Sequence, residues 1–131
     1  MKRSGALKRR PMKRKRRARR HDPNQTGAWH AAVFRANGAR CAVCGNEHKP
    51  DLEAHHVIDK GWLWNRRWDF DDVHALMWDE RNGMVVCTYP CHALHTLAAK
   101  RIPRYCLPAA ALDFAAAHGF MTKLEADYPA A

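Results

Sequence analysis

Two cysteine pairs, Cys41-Ala-Val-Cys44 and Cys87-Thr-Tyr-Pro-Cys91, decide how this chain folds. Each pair is spaced so that both thiolates can reach one tetrahedral ion, as in structural zinc sites. The second pair has three intervening residues where such sites usually have two, which is still within the permitted range. The chain has five cysteines, an odd number that fits a disulfide framework poorly, so metal binding is the better interpretation. We therefore predict a structural zinc site made by these four cysteines, with Cys106 as a small core residue.

The segments between and after the two pairs predict two short strands and a helix. Residues Leu52 to Ile58 are short, apolar in part and flanked by turn residues, which is typical of a strand. Asn82-Gly83 predicts a two-residue hairpin turn, and Met84 to Cys87 supply the strand after it. Cys91 to Lys100 are predicted to form a helix across both strands, with these residues turned inward: Leu94, Leu97 and Ala98.

The remaining segments are predicted to be helical or irregular. Gly61 to Asp72 have no clear period and are interpreted as an insertion loop with room for one helical turn, and Val73 to Met77 as a short helix. Three further helices are predicted from their start and stop signals: Ala28 to Ala36, ended by Asn37-Gly38; Pro108 to His118, ended by Gly119; and Phe120 to Tyr128. Together these elements predict an α+β fold with helices flanking a small sheet.

Positive charge is concentrated at the N-terminal end of the chain. The first 20 residues hold 12 of the 23 Lys and Arg and no acidic residue, so most of the formal charge of +10 belongs to them. Such a segment cannot bury enough apolar surface to offset its ordering entropy, which predicts a disordered basic arm over residues 1–24. We expect seven of its cations to contact DNA phosphates: Lys13, Arg14, Lys15, Arg16, Arg17, Arg19 and Arg20.

The rest of the chain, residues 25–131, is predicted to be one domain. Its core motif spans 41–99, and a helical extension covers 100–131. No apolar run approaches the roughly 18 residues that span a bilayer, and the charged N-terminus lacks the apolar part of a signal peptide. We therefore expect a cytoplasmic protein without a membrane partner.

Two histidines, His55 and His56, lie between the two cysteine pairs, and two more, His92 and His95, directly follow the second pair. His55 and His56 are adjacent on a predicted strand, so they face opposite ways and cannot do the same job. His92 and His95 are three residues apart on a predicted helix and share a face. A single histidine is usually structural, but four around two metal-binding pairs indicate a second, chemical site.

Three pieces of the sequence resemble the HNH endonucleases that carry a four-cysteine zinc site. They are AHHVI (54–58), RNGMVVC (81–87) and CHALH (91–95), and the resemblance covers residues 41–95, about two-fifths of the chain. It implies a small ββα-metal (His-Me finger) core in which His55 binds a catalytic divalent ion and His56 is the general base. It also implies that Asn82 orients the base and that His92 is a second metal ligand. His95 is a further candidate ligand, three residues after His92 where relatives usually have four.

The resemblance implies a metal-dependent DNA endonuclease, and the chemistry agrees with it. Phosphodiester hydrolysis needs a base that is neutral near pH 7 and a cation that neutralises developing charge, which an imidazole and Mg²⁺, Mn²⁺, Ni²⁺ or Zn²⁺ supply. Arg66 and Arg67 are further candidates for phosphate contact. The stretch RIPRYCLPAA (101–110) resembles a tail of some phage-encoded relatives.

Two other functions fit the same sequence. The first is a non-catalytic zinc module that binds nucleic acid through its basic arm and uses its histidines structurally. The second is a nuclease subunit that cuts only together with a phage packaging partner such as a terminase. All three functions require zinc, but only the two nuclease functions require a second metal site at His55 and His92.

Overall fold

The structure, a computed structural model, describes residues 23–130. It has the predicted α+β character, with six helices and two strands in this range. The helices are α1 (Pro23–Asn37), α2 (Lys60–Asn65), α3 (Val73–Met77), α4 (Ala93–Thr96), α5 (Ala109–His118) and α6 (Met121–Asp127), and the strands are β1 (Leu52–His56) and β2 (Gly83–Cys87). The predicted arm lies outside the described residues except for 23 and 24, which already belong to α1.

The two strands form an antiparallel sheet whose register places the predicted site residues. Leu52 pairs with Cys87 at one end, and His56 pairs with Gly83 at the other. Strand β2 is buried along its whole length, whereas in β1 burial alternates because Leu52 and Ala54 point to the core. The side chain of His55 therefore leaves β1 on the opposite side from that of His56.

Helix α1 packs against β2 at Gly83. Trp29 and Val33 are four residues apart, so they share a helix face, and both are buried. A Cβ atom at Gly83 would lie 2.4 Å from Val33 Cγ2, so the helix can come this close only because residue 83 has no side chain. The indole Nε1 of Trp29 also donates a hydrogen bond to the carbonyl of Asp79, at 3.0 Å.

The two C-terminal helices lie where the sequence predicts them. Helix α5 follows Pro108 and ends at Gly119, whose φ of 76° is the left-handed conformation that suits a glycine. Its buried residues include Phe114, and α6 buries Leu124. These helices complete the core beside the sheet.

One sequence prediction between the strands is wrong, and a second is right in part. Asn82-Gly83 is not a hairpin turn, because Gly83 is extended (φ −147°) and begins β2, while residues 57–82 separate it from β1. Residues 61–72 contain more helix than the single turn allowed for, since they include most of α2 and a 3₁₀ turn at Arg67–Asp69. Asp59 caps α2 by accepting a hydrogen bond from the backbone N–H of Trp62, a signal that the sequence analysis did not use.

The helix predicted over residues 91–100 is shorter than expected. An irregular turn, Thr88–His92, precedes it and contains a cis Tyr89–Pro90 bond, so the regular helix is only α4. It ends before Ala98, whose φ is 56° and whose N–H bonds back to the carbonyl of His95. Leu97 and Ala98, both predicted to face inward, are exposed, Leu97 by 74%, and His95 is the residue that is buried.

No helix within residues 23–130 is long and apolar enough to cross a membrane.

Candidate metal centre and histidine cluster

The four paired cysteines come together as predicted. The sulfur atoms of Cys41, Cys44, Cys87 and Cys91 all lie within 4.8 Å of one another. The Cys44 and Cys87 sulfurs are 3.7 Å apart. A tetrahedral ion with Zn–S bonds of about 2.3 Å requires sulfurs about 3.8 Å apart, so the cluster fits a structural metal ion such as zinc. Within residues 23–130, no other set of three or more His, Cys, Asp or Glu side chains converges this closely.

The first cysteine pair sits in a backbone turn that favours a thiolate. The N–H groups of Val43 and Cys44 both point at Cys41 Sγ, each at 3.4 Å. Burial alone would raise the pKa of Cys41, but hydrogen bonds, led by the one from Cys44, outweigh it and lower the pKa to about 6. Burial raises the pKa of Cys91, so a bound cation would have to displace its proton. The N–H of Ala42 bonds to the carbonyl of Val85, which ties the turn to β2.

Cys106, the fifth cysteine, lies outside this cluster. It is partly buried and packs against the core, as the sequence predicts.

His55 is held by a tyrosine from the end of the chain. Its Nε2 lies 2.7 Å from the hydroxyl of Tyr128, and that hydroxyl donates to the carbonyl of Val57 at 2.9 Å. Burial lowers the pKa of His55 to about 3, so the imidazole is neutral at pH 7. Its ring centroid is 4.7 Å from that of His92, which brings together the two predicted ligands of the catalytic ion.

His92 is paired with a carboxylate on the neighbouring strand. Its Nδ1 contacts Glu53 Oε1. Glu53 lies two residues before His55 and therefore leaves β1 on the same side of the sheet. An ionised carboxylate only accepts hydrogen bonds, so the contact places a proton on Nδ1 and leaves Nε2 of the neutral ring with a free lone pair. This carboxylate–histidine pairing is common behind metal-bound imidazoles.

His95 is engaged differently from the other predicted ligands. Its Nδ1 accepts a hydrogen bond from the backbone N–H of Ile102, at 2.9 Å, and its ring stacks on Tyr128 with centroids 4.7 Å apart. A neutral imidazole that accepts at Nδ1 carries its proton on Nε2. To bind a metal through Nε2, His95 would have to give up the bond to Ile102.

His56 lies on the other side of β1, packed between aromatic rings and a backbone carbonyl. Trp29 stacks on it with centroids 3.9 Å apart and an interplanar angle of 11°. Its Nε2 is 2.8 Å from the carbonyl oxygen of Met77, which can only accept, so Nε2 carries the proton and Nδ1 has the free lone pair. Burial lowers the pKa of His56 to about 4, so this lone pair is available at pH 7.

Asn82 is fully buried and fixes the chain just after His56. Its side-chain oxygen accepts from the N–H of Ile58 at 2.7 Å, and its side-chain nitrogen donates to the carbonyl of the same residue at 3.2 Å. The side chain thus holds Ile58 in place, while the backbone carbonyl of Asn82 accepts from the N–H of Val57. It is Met77, not Asn82, that sets the proton position on the ring of His56.

Arg66 and Arg67, the two arginines predicted to contact phosphate, each lie against the face of a tryptophan ring. The guanidinium of exposed Arg66 is 4.2 Å from the ring centre of Trp62. Arg67 lies between Trp64 and Trp68, at 4.6 and 4.9 Å from their ring centres, and donates to the carbonyl of Trp64. The cations of the predicted arm lie outside the described residues, so their contacts with DNA remain a prediction.

Sequence reasoning missed three groups that contact the histidines: the ring of Trp29, the carbonyl of Met77 and the hydroxyl of Tyr128. Trp29 lies in the helix predicted over residues 28–36, but no local pattern predicts that it stacks on His56. Backbone carbonyls carry no sequence signal, and Tyr128 is 73 residues away from His55 along the chain.

No family model matches the chain, and neither a curated protein nor a solved structure matches it.

Proposed function

We propose that this protein is a metal-dependent DNA endonuclease of the HNH type, with β1, β2 and α4 as its ββα metal core. The observation that carries the proposal is the arrangement of three histidines around β1, with His55 and His92 together on one side and His56 on the other. Each of the three has one ring nitrogen in contact with a protein oxygen, so the neutral ring keeps a lone pair on its other nitrogen.

His55 and His92 would hold the catalytic divalent ion. They lie on the same side of the sheet, and the lone pairs left free are Nδ1 of His55 and Nε2 of His92. Two imidazole ligands leave several coordination positions open for phosphate and water. A divalent ion bound there would supply Lewis-acid stabilisation of the charge that develops on the scissile phosphate.

His56 would act as the general base. Its free Nδ1 can accept a proton from the water that attacks phosphorus, while the carbonyl of Met77 stabilises the imidazolium that results. As the P–O bond to this water forms, the bond from phosphorus to the 3′ oxygen breaks. Trp29 keeps the ring from rotating during the transfer.

His56, the proposed base, and His55, a proposed metal ligand, point to opposite sides of β1. The position of His56 at the end of the strand would still allow both to act on one phosphate. His56 is the last residue of β1, and the chain turns immediately at residues 57 and 58. A phosphate placed across the end of the strand would reach both sides of the sheet. The turn has a fixed shape because Asn82 binds Ile58 through two hydrogen bonds.

The DNA backbone would be bound by cations of the N-terminal arm and by arginines of residues 57–82. Twelve Lys and Arg in residues 1–20 supply an affinity that is independent of sequence and falls with salt. Arg66, which is exposed directly after α2 and lies against the ring of Trp62, adds a further phosphate contact.

Cleavage of supercoiled plasmid, measured against metal concentration, tests the proposal. We expect His56→Ala to cut about 10²- to 10⁴-fold more slowly with unchanged metal affinity, because it removes only the base. His55→Ala should bind the catalytic ion more weakly, so added metal should restore part of its activity. His48→Ala is the matched control, since His48 is an exposed histidine that contacts only Asp51 among ionisable groups.

The outcomes also separate the alternatives. Wild-type protein that binds one zinc and no second ion, and never cuts DNA, would favour the non-catalytic zinc module, for which the tight cysteine cluster is the supporting observation. Binding of a second ion without cleavage would favour the subunit that needs a packaging partner. Cleavage by His56→Ala at the wild-type rate would show that His56 is not the base.

A further inference from the structure

We infer that Tyr128 is a positioning residue that fixes the proton of His55 on Nε2 and so keeps Nδ1 free to bind a metal. The inference rests on the proposed function in that it takes His55 as a ligand of the catalytic ion. It extends that function to the C-terminal segment, which lies outside the 41–95 region that carries the family resemblance.

The direction of the hydrogen bonds follows from the chemistry of the three groups. Tyr128 is 1% exposed, so its hydroxyl must find its partners within the protein. The carbonyl of Val57 can only accept, so the one hydroxyl proton points to it at 2.9 Å. The hydroxyl oxygen must then accept from His55, at 2.7 Å, and Nε2 of His55 therefore carries a proton. The opposite arrangement would leave the carbonyl and the hydroxyl oxygen facing each other without a proton.

The tyrosine is held in place from several sides. Its N–H donates to the carbonyl of Leu124, in the last turn of α6, at 2.9 Å. Arg104 donates through Nε to the carbonyl of Tyr128 at 3.2 Å and through its backbone N–H to the carbonyl of Pro129 at 2.8 Å. The ring stacks on His95, which is itself anchored by its bond from Ile102. The hydroxyl is therefore a fixed acceptor for His55.

His95 gains a role from this arrangement. Its ring packs against the ring of Tyr128, which in turn bonds to His55, the proposed metal ligand. His95 thus supports the ligand without binding the metal itself. This packing accounts for the burial of His95, whose ring stacks on Tyr128 and accepts a hydrogen bond from Ile102.

The test is the full-length, zinc-loaded Tyr128→Phe variant, which loses the hydroxyl and keeps the ring. Long-range ¹H–¹⁵N spectra of ¹⁵N-imidazole-labelled protein report which nitrogen of His55 carries the proton. We expect Nε2–H in the wild type and a substantial Nδ1–H population in the variant. Titration with Mn²⁺ should show the histidine site weakened by about 10- to 100-fold, as for other groups that orient metal ligands. The zinc content should stay at the wild-type level, since no cysteine is changed.

Tyr105→Phe is the matched control, because it removes a hydroxyl from the same C-terminal segment at a side chain that is 78% exposed. It should change neither the tautomer nor Mn²⁺ affinity. Protonation of His55 at Nδ1 in the wild type, or an unchanged tautomer in Tyr128→Phe, would overturn the inference. If the tautomer shifts but the wild type binds no Mn²⁺, the role of Tyr128 stands and the proposed catalytic metal site fails instead.

Discussion

Replacing Gly83 by alanine should disturb His56, the proposed base. The substitution should displace helix α1, whose Trp29 stacks on the His56 ring. Gly83 pairs with His56 in the sheet, and its backbone is extended, so alanine is not excluded by conformation. The difficulty is space, because the new methyl would lie 2.4 Å from Val33 Cγ2 and 3.0 Å from Trp29 Cζ2. Both atoms belong to α1, so this helix must move away from the sheet.

The expected magnitude follows from overpacking a filled core, which costs about 1–3 kcal/mol in the free energy of unfolding. For a domain of this size each kcal/mol lowers Tm by about 4–8 °C. Moving α1 also moves Trp29 off the face of His56, so the cleavage rate should fall even where the protein remains folded. Thermal unfolding and plasmid cleavage of the zinc-loaded variant measure the two effects.

Gly27→Ala is the matched control for this substitution. Gly27 lies in α1 with nothing within 4 Å of a Cβ placed there, so alanine should leave activity unchanged and stabilise the helix by about 0.5–1 kcal/mol. Adding Val33→Ala to Gly83→Ala removes the methyl groups that clash, so the two changes should be non-additive. A Gly83→Ala protein with wild-type Tm and activity would refute the placement of α1 against His56.

Two further perturbations test the metal centre and the burial of the base. Cys41→Ser should unfold the domain, because a structural zinc contributes on the order of 10 kcal/mol, whereas Cys106→Ser should keep its zinc; a Cys41→Ser protein with wild-type Tm and a full equivalent of zinc would contradict the site. Burial lowers the pKa of His56 to about 4, so between pH 6.5 and 4 the unfolded state takes up a proton that the folded state does not, and stability decreases as the pH is lowered. Chemical denaturation should therefore show that the free energy of unfolding of His56→Gln falls less steeply over this range than that of the wild type, by about 1.4 kcal/mol per pH unit. Equal slopes for the two proteins would count against a buried, neutral His56.

The parts of the site that the sequence could predict are those set by spacing along the chain. Cys41 and Cys44 converge because a two-residue gap fits one ion, and His55 and His56 diverge because successive strand residues alternate. Both rules act over a few residues and need no knowledge of the rest of the fold. The same locality explains why α5 and α6 were predicted nearly to the residue, since their proline and glycine signals are local.

Asn82-Gly83 shows where local rules fail. The dipeptide favours a hairpin turn when nothing else constrains it. Here the side chain of Asn82 is occupied by Ile58, 24 residues away, and Gly83 is required by the close approach of Val33. Each residue serves a long-range contact, so the tertiary structure uses the same two residues for a purpose that their local preference does not reveal.

The proton positions on the histidines depend on long-range contacts of the same kind. His56 takes its ring position from Trp29 and its tautomer from Met77, and His55 takes its tautomer from Tyr128. A fragment limited to residues 41–95 would contain the four cysteines and all the proposed ligands, yet it would lack both the ring against the base and the hydroxyl that accepts from His55. The stretch that carries the resemblance is therefore shorter than the stretch that sets the surroundings of the two histidines. The resemblance depends on the histidines themselves, whereas the tautomer of each depends on the group that binds its other nitrogen.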